Sequence, residues 1–378
     1  MDMYALRLYW SHRFFISPPC PVHDYPVDGA MAKSRLQGSE GEQMIDRVRR
    51  AWGVPIRMVV AGGAGFALAW AAVPSASASE AAAFEVGKSY GHYIEYLPGN
   101  APVILVAPHG GTLLPEDIPD RTKERCGGAR TVVGPDRNTA ELVQAMRQSF
   151  HDRFGTYPHV IINRLARQKL DANRSAAEAA CGNADAEQAY KEWHAFIDIA
   201  KKEVLRTSER GWFMDIHGHG HKVQRLELGY LLTGGLLDRS DEAIDGDAGA
   251  LERTSIRSLA KGGETPLSTL LRGPTSLGTL FADAGFPAVP SASDPGPGVH
   301  SYFNGGPNTR RHACGSGSDS PEGRICGLQI EAPFRGVRDT AESRKRFGDA
   351  AAKVLEQFFA AHWDVGLAGK AKAAGAHD

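Results

Sequence analysis

The sequence predicts an α/β fold, on three observations. Three continuous apolar runs, Pro102–Ala107, Val160–Ile162 and Trp212–Met214, read as strands buried on both faces. Stretches of helical periodicity lie between and after them, notably 139–154 and 176–207. Histidines, arginines and carboxylates gather where these strands end, the place where open α/β sheets bind ligands.

Taken in order, Tyr93-Ile94-Glu95-Tyr96 alternates and predicts a first strand, with a turn at Gly99-Asn100. The second strand, ending at Ala107, runs into Pro108-His109-Gly110-Gly111. Glu116 follows in a turn after Pro115, so one loop offers His109 and Glu116 to a single ion, with Asp117 and Asp120 as competing ligands. Asn138 or Thr139 caps a helix reaching about Phe154, with Leu142, Val143, Met146 and Phe150 on its apolar face. The third strand, Val160–Ile162, opens into a basic segment holding Arg164, Arg167, Asn173 and Arg174. Guanidinium forks match carboxylates, so this segment reads either as a clamp for an anionic substrate or as a solvated basic loop.

Residues 176–207 are helical, broken at Cys181-Gly182-Asn183. The strand at Trp212 then leads into Asp215-Ile216-His217-Gly218-His219-Gly220-His221. Three histidines at alternate positions favour a metal or acid–base site, and Asp215 sits where it can orient the imidazole of His217. Leu226–Leu232 is a further strand, 233–275 an insertion with short helices, and Leu277–Ala284 a short helix. Pro287–Arg324 is loop-like and holds Arg310, Arg311 and His312. Gly327–Pro333 is the last strand, and Glu331 near its end is a costly buried acid unless it binds or works. Arg338–Phe359 closes the chain as an amphipathic helix, and the tail from 366 frays.

Composition adds bounds. The 378 residues are 42% hydrophobic and 23% charged, with net charge −1, an ordinary globular balance that gives no electrostatic case for nucleic acid. Arg47, Arg49, Arg50 and Arg57 precede an apolar run from Met58 to Val73 and an Ala76-Ser77-Ala78 site. That pattern predicts a signal peptide over 44–78, cleaved after Ala78, with 1–43 an over-called N-terminal extension and 79–365 one catalytic domain. A periplasmic or secreted protein without stable membrane association after cleavage is the corresponding expectation. The four later cysteines then suggest two disulfides, with Cys126–Cys181 and Cys314–Cys326 favoured because the second closes a short Gly/Ser-rich loop.

Four segments carry a family resemblance: Pro108-His109-Gly110-Gly111, Asp171-Ala172-Asn173-Arg174, Asp215-Ile216-His217 and Leu328-Gln329-Ile330-Glu331. In this order they resemble those of the N-formylglutamate amidohydrolases, and of the wider group of zinc carboxypeptidases, aspartoacylases and phage poly-γ-glutamate hydrolases. The resemblance covers roughly residues 100–360. It implies a three-layer α/β sandwich around a mixed, mostly parallel sheet. It implies Zn²⁺ on His109, Glu116 and His217, although carboxypeptidases and aspartoacylases space their first His and Glu more closely. It makes Glu331 the general base, and has Arg167 or Arg164 polarise the scissile carbonyl. Asn173 and Arg174 would hold a substrate carboxylate. Apart from the resemblance, Arg310 and Arg311 are expected as further substrate contacts, and Asp215 and His219 behind the ligands. The expected function is an exported zinc hydrolase cleaving an amide in an N-acyl amino acid or peptide that bears a carboxylate. The competing expectation is a non-catalytic binding protein for an anionic ligand. A serine hydrolase is disfavoured by the lack of a Gly-x-Ser-x-Gly elbow.

Overall fold

The structure, a computed structural model, describes residues 84–315, 323–363 and 367. The chain divides into Met1–Ala76 and Ser77–Asp378, and every described residue lies in the second unit. The expected N-terminal extension and signal peptide lie outside the described residues, as does the tail apart from Leu367. Among the described residues no helix is long and apolar enough to cross a membrane.

The apolar runs do become strands. β1 (Ile94–Leu97), β2 (Val103–Ala107), β3 (His159–Asn163), β4 (Gly211–His219), β5 (Leu226–Gly229), β6 (Ala288–Val289) and β7 (Ile325–Pro333) form one sheet in the order β1-β3-β2-β4-β7-β5-β6. The central strands β3, β2, β4 and β7 are parallel; β1 is antiparallel to β3, and β5 is antiparallel to β7. This is a mixed sheet in an α/β fold. Alternate side chains of β2 feed two cores. Val103 and Leu105 pack with α1 (Thr139–Phe154) and the C-terminal helix Ala341–His362 on one face. Ile104 and Val106 pack with the long helix Ala184–Thr207 on the other, around the fully buried Trp193. With both faces covered, β2, β3 and β4 need the unbroken hydrophobic runs that the sequence shows.

Some boundaries differ from expectation. β4 does not end near Asp215 but continues through His219, hydrogen-bonded to β7 along its whole length. β5 stops at Gly229, before Leu231 takes a left-handed φ of 65°. The segment 287–324, expected to be loop, contributes β6 and a short helix, Pro307–His312. Asn138 occupies the N-cap position of α1 but adopts φ 65°, and its side chain donates to the carbonyl of Arg338 instead of capping. The cysteines pair as Cys126–Cys181 and Cys314–Cys326.

Candidate metal centre and active site

Because the four central strands are parallel, their C-terminal ends share one edge, and the site is laid out along it in sheet order. Arg167, Asn173 and Arg174 follow β3, and His109 follows β2. Asp215 and His217 lie on β4, and Gln329 and Glu331 on β7. Glu227, at the start of the antiparallel β5, joins the same edge, directly opposite Glu331.

Two glycines make the approach of these segments geometrically feasible. A Cβ on Gly111 would lie 2.3 Å from the backbone of Arg164, so the β2 exit can run against the β3 exit only without a side chain there. A Cβ on Gly218 would lie 2.2 Å from the Arg338 guanidinium. Arg338 occupies that space and donates to the carbonyls of Ala332, His219 and Arg137, tying β4, β7 and the segment before α1 together.

At the centre, His109 and His217 meet with ring centroids 4.7 Å apart. Oδ2 of Asp136 lies 3.2 Å from Nδ1 of His109 and 3.0 Å from Nδ1 of His217, and accepts the Gly218 N–H at 3.2 Å. The outer nitrogens of both rings face carboxylates. Nε2 of His109 is 2.6 Å from Asp171 Oδ1, and Nε2 of His217 is 3.1 Å from Asp215 Oδ2. The second approach is close but not aligned as a hydrogen bond, so the fully buried Asp215 carboxylate has a charge partner and no aligned donor. Nε2 of His217 also lies 3.2 Å from Nδ2 of the Asn173 amide; a carboxylate beside each imidazole is nonetheless the pairing that orients metal-bound histidines. His109, Asp136 and His217 therefore form a set with zinc-type donors, their ligand atoms all within 4.8 Å of one another.

The electrostatics fit a cation. Asp136, Asp171, Asp215 and Glu331 are all buried around two imidazoles, and buried carboxylates persist only when paired or bound to metal. Burial by itself would raise the Asp136 carboxyl, but His109 and His217 together hold it well below the usual range. Burial likewise opposes ionisation of Asp171, and His109, Arg167 and Arg174 overcome it. Burial would lower His217, yet Asp215, Asp136 and Glu331 raise it well above the ordinary imidazole value. Burial pushes the Glu331 carboxyl up to about 8, with His217 opposing and Asp136, Glu227 and Asp215 reinforcing. Its neighbour Gln329 donates to Oε1 at 2.9 Å.

No family model matches this chain, and no curated protein matches it. A crystal structure of N-formylglutamate amidohydrolase from Ralstonia eutropha JMP134 superposes with a TM-score of 0.39 at 13% identity, over 70% of this chain and 94% of that one. The functional reading rests on the geometry of the site itself.

The structure brings together His109, His217, Asp215, Glu331, Arg167, Asn173 and Arg174, around a cavity of about 780 Å³ on which all but Asp215 open. That is the size of a small-molecule site. It does not bring Glu116 there. Glu116 is exposed on the loop after His109, and Asp136 stands beside both histidines instead. Arg164 turns to the other side of the β3 exit and pairs with Glu95 of β1. Arg310 is exposed on the helix Pro307–His312, and neither Arg310 nor Arg311 lines the cavity. His219 lines the cavity but is bound through Nε2 to the Arg225 carbonyl, not to the His109/His217 set.

Three contributors escaped the sequence reading. Asp136 sits in Gly134-Pro135-Asp136, which has the composition of an ordinary turn; only its place just before α1 marked it. Asp171 lies inside the Asp171-Ala172-Asn173-Arg174 segment, and only its contact with His109 Nε2 gives it a part in the site. Arg130, on the segment tethered by the Cys126–Cys181 bridge, lines the cavity from an exposed loop.

Proposed function

We propose that this chain is a zinc-dependent hydrolase of the carboxypeptidase-like kind, cleaving an amide bond in an N-acyl amino acid or peptide that carries a carboxylate. The observation supporting this most strongly is the convergence of His109, Asp136 and His217, each imidazole backed by a carboxylate, beside the buried acid Glu331. Bound there, zinc would supply Lewis acidity toward the amide carbonyl and toward water.

The remaining work falls to the chain's own side chains. Glu331 removes a proton from the attacking water, whose oxygen joins the carbonyl carbon; the same carboxyl then delivers that proton to the amide nitrogen as the C–N bond breaks. Arg167, held by Asp171 through Nε at 3.1 Å, directs positive charge to the cavity, where it offsets charge developing on the carbonyl oxygen. Arg174 and Arg130 offer forks to the substrate carboxylate. Asn173 is held beside them, its Oδ1 accepting the Asn308 N–H at 2.9 Å and its Nδ2 lying against His217 Nε2 and Gln329 Oε1. The two disulfides accord with an oxidising compartment, and we assign the protein to the periplasm or the extracellular space.

The test is a screen of the zinc-loaded chain against N-formyl, N-acetyl and other N-acyl amino acids and γ-glutamyl peptides, read as released amine. Turnover that chelation abolishes and zinc restores is expected. A zinc-loaded, folded chain that turns over none of them, or turnover indifferent to chelation, would remove the proposal and favour a binding role.

A further inference from the structure

A second cluster, His219, His221 and Glu227, lies beside the same cavity, which its two histidines line, and has no part in the chemistry above. One ligand atom from each lies within 4.8 Å of the others. His219 is oriented from outside the cluster, with Nε2 2.9 Å from the Arg225 carbonyl. That contact places the N–H on Nε2 and leaves Nδ1 with a lone pair, which accepts the His221 N–H at 3.1 Å. His221 lies with Nδ1 2.7 Å from Glu227 Oε1, its ring stacked on Phe303 at 4.7 Å between centroids. Glu227 is 1% exposed, and its Oε2 accepts the Phe303 N–H at 2.8 Å.

The strand register supplies a second argument. Glu227 and Glu331 are directly opposite each other on antiparallel β5 and β7, and both are buried. His221 stands beside this pair on the Glu227 side, and Gln329 donates to Glu331. Glu227 lies two strands from His217, about 10 Å across the sheet, and the two clusters share no residue.

We propose that His219, His221 and Glu227 bind a second divalent cation of the zinc class, separate from the one assigned to His109, Asp136 and His217. Two imidazoles and one carboxylate are the donors such ions take, and His219 and His221 line the cavity through which an ion would enter. The proposal does not depend on the hydrolase reading, since its evidence is binding alone.

Titration of the chelator-stripped full chain with Zn²⁺, and with Co²⁺ as a spectroscopic probe, tests it. Wild type is expected to take up two equivalents, His221→Ala one, His217→Ala one, and the double variant none. His221 is only half-buried, so the alanine leaves the fold in place, and Glu227→Gln gives an isosteric check on the same site. Uptake of one equivalent that His221→Ala retains and His217→Ala loses would overturn the second site, as would a wild type that binds only one equivalent and loses it in both variants. One equivalent lost in His221→Ala but kept in His217→Ala would support it while refuting the first.

Discussion

His217 and Glu331 occupy directly paired positions on the adjacent parallel strands β4 and β7. Pairing puts both side chains on one face of the sheet, so the proposed base stands beside a proposed ligand. Glu331→Gln keeps the acceptor for Gln329 and the side-chain volume. It is expected to leave zinc content unchanged and to lower kcat by about 10²–10⁴-fold. Wild-type turnover in the variant would take Glu331 out of the chemistry.

The carboxylate of Asp215 acts on an ion only through His217. Asp215→Asn preserves shape and a potential acceptor for Nε2–H but removes the charge. The folded variant should bind zinc about 10–100-fold more weakly, read by competition with a chelator. Unchanged affinity would make Asp215 a packing residue.

The arginines separate into two groups. Arg164 is partly exposed and paired with Glu95 outside the cavity, so Arg164→Ala should cost under about 1 kcal/mol of stability and leave turnover unaltered. Arg174→Ala removes a charge-assisted contact to the substrate carboxylate, which is expected to lower kcat/KM by about 10–100-fold, mainly through KM. Steady-state kinetics of the two variants side by side decides the assignment.

Two histidines far from the reaction predict acid sensitivity. Burial, with Arg147 adding, lowers His159 to about 3, and burial, with Arg311 and Lys201 adding, lowers His194 to about 3. Unfolded histidine titrates near 6.5, so between about 6.5 and 3 the unfolded chain binds more protons than the folded one. Stability is therefore fully present above about 6.5 and falls as pH drops through that window, by up to about 1.4 kcal/mol per pH unit for each histidine. Nδ1 of His159 accepts from Gly99 N–H and pairs with Tyr96 Oη, contacts that the protonated ring cannot accept. His159→Asn keeps an acceptor there, and denaturant melts against pH should show an acid limb flatter by about one proton.

How far the sequence reached depended on how local each signal was. β2, β3 and β4 were legible because strands buried on both faces must be apolar at every position. The relation of Asp215 to His217 was legible from the two-residue strand period. Asp136 was not, because it reaches His109 across 27 residues of chain from a turn of unremarkable composition. The difference between Arg164 and Arg167 was also hidden, since it depends on Glu95 of the antiparallel edge strand β1 occupying one side of the β3 exit. Glu227 stood in a plain Leu-Glu-Leu alternation, and only the placement of β5 against β7 sets it opposite Glu331.

In the proposed site Asp136 completes the metal set with His109 and His217. Zinc uptake by the purified chain, measured for wild type, Asp136→Ala and Glu116→Ala together, tests it most directly. Asp136→Ala is expected to lose one equivalent that wild type and Glu116→Ala both hold. Retention of that equivalent by Asp136→Ala with its loss in Glu116→Ala, or a folded wild type that takes up no zinc, would contradict it.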